Sequence, residues 1–109
     1  MAHTLEKIRK RSTFVMIREK GKAAQGKTFN VQFLEDQNIN NVIYVGFTAT
    51  KKLGTAVNRN KAKRIMRELA RKVIAKYGKI NSYYVLIAKP PIFEISFSSQ
   101  KNELKELIS

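Results

Sequence analysis

The stretch from Lys51 to Tyr77 constrains the fold of this chain more than any other. A basic loop with one glycine, Gly54, feeds a run in which Ala62, Ile65, Met66, Leu69, Ala70 and Val73 recur at three- and four-residue steps. That spacing is one face of a helix; a strand would alternate with a period of two. At roughly 100° per residue, Asn60, Lys63, Arg64, Arg67 and Arg71 form a second stripe beside the first. Glu68 is the only acid between Lys51 and Tyr77. Like charges one turn apart destabilise an isolated helix by about 0.2–0.5 kcal/mol per pair. A polyanion lying along the stripe would make the arrangement favourable. In most proteins a charge run is a solvated helix face. Here the stripe is nearly single-signed and the whole chain carries a formal net charge of +14, which favours phosphate binding.

That charge makes nucleic acid the first partner to expect and an anionic membrane the second. The 109 residues suit one small domain, expected to span 1–109 as a single RNA-binding unit with a loose basic N-terminal arm over 1–11. With no cysteine, a disulfide scaffold and a thiolate zinc site are both excluded. No apolar run has the length of a membrane span, and none reads as a signal peptide. A cytoplasmic protein with no membrane partner is the expectation.

Taken in order, Lys7, Arg9, Lys10 and Arg11 make the basic arm. A helix follows, capped by Ser12 or Thr13, with Phe14, Val15 and Ile17 on its apolar side and Gly21 as its stop. Thr28 to Leu34 alternates as a half-buried strand, Phe29, Val31 and Phe33 against Thr28, Asn30 and Gln32. Val42 to Thr50 is a second strand, with Ile43, Val45 and Phe47 on one face and Tyr44, Gly46 and Thr48 on the other. Gly46 would let a neighbour approach the backbone closely. After the long helix, Tyr83 to Ala88 reads as a central strand, ended by Pro90 and Pro91. Ser98 or Ser99 would cap a terminal helix bearing Leu104, Leu107 and Ile108. The expected fold is α+β: a small sheet in the order α-β-β-(β)-α-β-α, with one more short strand possible before Phe29 and one face covered. The open face would carry Asn30, Gln32 and Thr48.

A protein nuclease needs clustered carboxylates for metals or a histidine pair for proton transfer. His3 is the single histidine, and the eight acids are scattered apart from the adjacent Glu35 and Asp36. No phosphate-cradling glycine loop is present. The chain is thus expected to have no catalytic residue and no metal site of its own. What it has in abundance is donors: Lys51, Lys52, Arg59, Lys61, Lys63, Arg64, Arg67, Arg71 and Lys89. Arginine can grip phosphate bidentately, lysine as a point charge. Phe29, Phe33 and Phe47 could stack bases, but strand parity favours the core.

Lys51-Lys52-Leu53-Gly54, Ala56-Val57, Arg59-Asn60-Lys61-Ala62-Lys63-Arg64 and Arg67-Glu68 together resemble the signature of the bacterial ribonuclease P protein subunit. That pattern runs approximately Ser-Lys-Lys-x-Gly-Asn-Ala-Val-x-Arg-Asn-Arg-x-Lys-Arg, followed by Arg-Glu. The resemblance extends to Phe14 and Gly21, to Phe29–Phe33, to Val45-Gly46, and to Ile87-Ala88-Lys89 with Pro91, so it covers nearly the whole chain. It implies a compact α/β sandwich with a left-handed crossover into the last strand, similar to a domain of a small-subunit ribosomal protein. It implies a partner, the catalytic RNA of ribonuclease P, with one protein per RNA. That RNA removes the 5′ leader of precursor tRNA using Mg2+, so the ion is expected in the RNA-containing holoenzyme rather than on this chain. Carried over by position, Arg59, Asn60, Lys61, Lys63, Arg64 and Arg67, with Arg71 on the same stripe, would bind the catalytic RNA. Phe14, Lys51, Lys52 and Lys89 would line or flank a cleft for the leader, with Arg18 and Gln32 where many relatives carry aromatics. Other departures are Lys61 for arginine, Thr55 for asparagine and Tyr83 for aspartate.

Two other readings compete. A structural RNA-binding protein, for example a ribosomal one, has the same composition; only the Lys51–Glu68 motif separates it. A self-sufficient nuclease lacks its carboxylate or histidine cluster.

Overall fold

A computed structural model describes residues 3–109. Five strands and four α-helical segments follow one another as β1 (Leu5–Lys7), α1 (Arg11–Lys20), β2 (Lys22–Gln25), β3 (Phe29–Glu35), β4 (Ile43–Thr48), α2 (Ala56–Leu69), α3 (Ala75–Tyr77), β5 (Ser82–Ala88) and α4 (Phe97–Ile108). One mixed sheet runs in the order β1-β4-β5-β3-β2. β5 is its central strand, antiparallel to β3 from Phe29↔Ala88 to Glu35↔Ser82 and parallel to β4 from Ile43↔Ser82 to Thr48↔Ile87. The continuous apolar run of β5 fits that place, since both its faces are covered. The extra short strand before Phe29 is β2, paired antiparallel with β3.

Strand alternation sets the main core. Phe29, Val31, Ile43, Val45, Tyr84, Leu86 and Ala88 point to one face and meet Ala62, Met66, Leu69, Val73, Ile74 and Leu104 from the helices. Each aliphatic side chain fully buried here contributes about 1.5–3 kcal/mol relative to exposure. Between α2 and α3 the helix widens into one π-helical turn, Ala70–Ile74. A wider turn rotates less per residue, which keeps the consecutive Val73, Ile74 and Ala75 all inward.

Three expectations are corrected. The N-terminal arm is not loose over its described part: Leu5–Lys7 pairs in parallel with Ile43–Val45, and Ile8 is buried. Apolar Leu5 and Ile8 have a core to reach, and that outweighs the surrounding charge. The remainder of the expected loose start, Met1 and Ala2, lies outside the described residues. Second, the sheet is covered on both faces. Ile17 of α1 packs with Ile8 and Val85, flanked by Phe14, Met16, Leu34, Tyr44, Tyr83 and Ile87. Third, the caps shift. α1 follows Lys10 with no side-chain cap, and Ser96, not Ser98 or Ser99, caps α4 by accepting from the Ser99 N–H at 3.2 Å.

Candidate nucleic-acid interface

The loop before α2 is built by its own side chains. Gly54 has φ of 102°, a conformation open mainly to glycine. Thr55 caps α2 by accepting from the Asn58 N–H, and the Asn58 amide donates to the Leu53 carbonyl at 3.3 Å. Arg59 donates from Nη1 to the Gly54 carbonyl at 3.1 Å, leaving its other N–H groups for a ligand. Thr55 therefore supplies the helix cap as asparagine could.

Burying Ala62, Met66 and Leu69 turns Asn60, Lys63, Arg64 and Arg67 outward, all exposed. Arg71, on the π turn, is exposed too and donates to Glu68 Oε2 at 2.8 Å. This bond, with the Arg71 charge, holds the Glu68 carboxyl below its ordinary value and the Arg71 guanidinium above its own. Lys61 departs from the stripe: its ammonium lies 5.8 Å from the centre of the Phe93 ring, on the flank towards α4.

The decisive geometry is at the sheet edge. β1 pairs only as far as Val45, where the Ile8 N–H donates to the Val45 carbonyl at 2.9 Å. From Gly46 to Thr48, none of the described strands pairs with β4 on that side. Two hollows meet around this edge. One, of about 690 Å³, is lined by Lys63, Arg67 and Arg71 from the helix, by His3 and Lys7, and by Phe14 and Phe47. The other, of about 590 Å³, is lined by Arg9, Arg11, Arg18, Thr48 and Lys63, again with Phe14 and Phe47. Lys63 and the two rings are common to both. The free edge thus lets the cationic stripe on one face of the sheet run into the cleft under α1 on the other. Among the described residues, Glu6 is the only acid lining either hollow.

Phe14 reaches this position because Gly46 has no side chain: a β-carbon there would lie 2.5 Å from the ring's Cε1. The neighbour that Gly46 was expected to admit is Phe14. Gln32 is half-buried in the same cross-sheet row as Gly46, with Val85 between them. At about 4.8 Å between strands, that places it roughly 10 Å from the edge. Asn30 is partly engaged, its side-chain oxygen accepting from the Gly26 N–H. Lys51 and Lys52 are exposed on a 3-10 turn beyond the end of β4 and line neither hollow. Lys89 is half-buried and pinned: its ammonium donates to the Gly26 carbonyl at 2.6 Å.

The sequence reading missed Arg9, Arg11 and Lys7 as part of the site, although their clustering was visible. Strand parity favoured the core for Phe47, with base stacking as the alternative. Phe47 packs against the core and is half-buried, with its outer part forming a wall of both hollows. Among the described residues, no group of three or more His, Cys, Asp or Glu side chains could hold a metal ion, and no helix is long and apolar enough to cross a membrane.

Comparison with known proteins agrees with this architecture. The Ribonuclease P family profile matches residues 3–109. The "Ribonuclease P protein component" of Caulobacter vibrioides is 40% identical over 89 residues, covering 80% of this chain and 59% of that protein. The chain thus spans about three fifths of that relative's length. The protein of the same description from Syntrophus aciditrophicus is 33% identical over 104 residues, covering 95% of this chain and 85% of its own. Among solved structures, the Staphylococcus aureus RNase P protein superimposes with a TM-score of 0.77 at 29% identity, covering 93% of this chain and 90% of that one. The Thermotoga maritima RNase P protein gives 0.79 at 26% identity, covering 94% of each chain. A match running from the first described residue to the last, on a fold the solved relatives share, means that this chain belongs to the ribonuclease P protein family.

Proposed function

We propose that this chain is the protein subunit of ribonuclease P, the endoribonuclease that gives tRNA its mature 5′ end in the cytoplasm. The stripe of Asn60, Lys63, Arg64, Arg67 and Arg71, with Arg59 beside it, binds the catalytic RNA, and Lys61 adds a contact to that RNA from the flank towards α4. The cleft under α1, with Phe14 and Arg18, holds the single-stranded 5′ leader of precursor tRNA. The observation that carries this reading is the meeting of the two hollows at the Gly46–Thr48 edge, with Lys63 and Phe14 in both. One protein can then touch the catalytic RNA and the leader at once.

The described side chains offer no donor cluster suited to Mg2+. The metal ions that activate water in the holoenzyme would be held by RNA phosphates, and this chain's part is to bind and orient. Arg67, Arg64 and Lys63 neutralise backbone charge, releasing counterions, so affinity falls steeply with salt. Phe14 and Phe47 offer ring faces to leader bases, where stacking is worth about 1–3 kcal/mol per base. Lys51 and Lys52, on the turn beyond β4, would meet RNA that runs past the cleft, while Gln32 and Lys89 lie farther in, Lys89 holding the β2–β3 turn.

The experiment is reconstitution. Adding the protein to ribonuclease P RNA at low Mg2+ should restore cleavage of precursor tRNA at the mature 5′ end. Cleavage no better than that of the RNA alone would reject the reading, and co-sedimentation with ribosomes instead would favour a structural RNA-binding protein.

A further inference from the structure

On the side of α2 away from the sheet edge, a second basic surface runs along the seam between α2–α3 and α4. Four lysines there stand over aromatic rings. Lys61 lies 5.8 Å from the Phe93 centroid, Lys101 5.7 Å from Phe97, Lys76 5.3 Å from Tyr77 and Lys105 4.3 Å from Tyr77. All four lie within the range of about 6 Å over which a ring face attracts an ammonium, and they share one seam.

The rings are anchored, not loose. Phe93 and Phe97 pack against the main core, and Tyr77 closes the helix before Gly78 while remaining 45% exposed. Among the described residues, none of Lys61, Lys72, Lys76, Lys101 and Lys105 forms an ion pair with a carboxylate. The acids of α4 are segregated: Glu103 and Glu106 line a separate hollow with Gly26 and Lys27, on the flank towards the β2–β3 turn. α4 therefore shows lysines to the seam and carboxylates to the other side. Glu103 has its own use on that side, accepting from Thr28, and the seam is left with lysines alone.

A ring face takes up one side of an ammonium and leaves N–H donors directed outward. It also limits the side-chain freedom that would otherwise be lost on binding. Lys61 and Tyr77 stand sixteen residues apart, roughly 24 Å at the helical rise of about 1.5 Å per residue. That length matches a row of several phosphates.

We infer that the Lys61–Tyr77–Lys105 seam is a second RNA-binding surface that grips the phosphate backbone of an RNA segment other than the one on the α2 stripe. The inference rests on the reading of the protein as RNA-binding and goes beyond it. The protein then joins two RNA segments across α2. Lysine held against phosphate carries no sequence information, so the seam acts on any structured RNA, while the stripe and cleft supply selection.

The test uses the full chain carrying Lys76→Gln, Lys101→Gln and Lys105→Gln, none of which belongs to the stripe or cleft. Binding is measured against salt for ribonuclease P RNA and for an unrelated RNA duplex. The expected result is a salt slope shallower by about two to three units on both, near one for each phosphate that the variant no longer neutralises. The triple Lys→Arg variant should keep the original slope. The nucleotides of ribonuclease P RNA that lose protection should differ from those that lose it with Arg64→Ala/Arg67→Ala. If the triple glutamine variant melts early, each single substitution should still flatten the slope by about one unit. Unchanged slopes on both RNAs, or deprotection of the same nucleotides as with the stripe variant, overturn the inference. So does an effect seen only on anionic phospholipid vesicles. Failure of the functional reading looks different: the unmodified protein would bind ribonuclease P RNA no better than the duplex.

Discussion

A β-carbon on Gly46 would lie 2.5 Å from Cε1 of Phe14, so the ring rests directly on the β4 backbone. Gly46→Ala therefore has to move the ring or the strand. Overpacking of this kind costs about 1–3 kcal/mol, read as a lower urea midpoint at unchanged slope. The loss should shrink in Gly46→Ala/Phe14→Ala, because residues that touch are energetically coupled. Equal losses in the presence and absence of Phe14 would show that the ring does not depend on this glycine.

The stripe is separable from the core because its side chains are exposed while Ala62, Met66 and Leu69 are buried. Arg64→Ala/Arg67→Ala should weaken binding to the catalytic RNA by about 1–3 kcal/mol per arginine and flatten the salt slope by about two units. Stability should change by no more than about 0.5 kcal/mol per site. A double variant that unfolds, or keeps its slope, assigns these arginines to packing or decoration.

Arg18 lines the cleft with Arg9 and Arg11, where charge outweighs aromatic surface. Leader affinity should accordingly fall more steeply with salt than in a relative with aromatics in place of Arg18 and Gln32. Arg18→Phe should give a shallower slope and retain binding, since stacking supplies about 1–3 kcal/mol per base with less salt sensitivity. Equal slopes for the two proteins on one precursor, with the same catalytic RNA, would count against a charge-led cleft.

Glu103 ties α4 to the start of β3. Its carboxylate accepts from the Thr28 N–H at 3.1 Å and from the Thr28 hydroxyl at 2.7 Å, and Thr28 is fully buried. Removing it leaves a buried N–H and hydroxyl without their acceptor. Glu103→Ala should cost about 1.5–3 kcal/mol in thermal or urea unfolding, with RNA binding unchanged once folded. A neutral substitution would show that water replaces the carboxylate without loss.

Tyr84 sets an alkaline limit. Burial pushes its hydroxyl above the ordinary value, against the opposing effect of the Lys79 N–H, which donates to that oxygen at 2.9 Å. The folded state therefore favours the neutral phenol. This contribution is intact below the unfolded value of about 10 and is lost as pH rises through the higher folded value. Tyr84→Phe should be less stable than the parent at neutral pH and lose less on going to alkaline pH. Parallel stability curves would exclude Tyr84 as the source.

Much of this was legible in the chain. The period of Ala62, Met66 and Leu69 fixed α2, and the alternation around Phe29 and Val31 fixed β3, because burial on one side is a local pattern that a helix or strand must obey. The same periodicity turned Lys63, Arg64 and Arg67 outward, and the motif from Lys51 to Glu68 pointed to the family. Which strand lies beside which was decided only by the tertiary structure. The early end of β1 at Lys7 opens the Gly46–Thr48 edge, and that edge joins the helix stripe to the cleft under α1. Neither Lys89's bond to Gly26 nor the seating of Lys105 on Tyr77 has a local signal, since each joins residues far apart in the sequence. Local propensity fixes the elements and the side each turns outward. Partners distant in the chain are chosen by how those elements pack together.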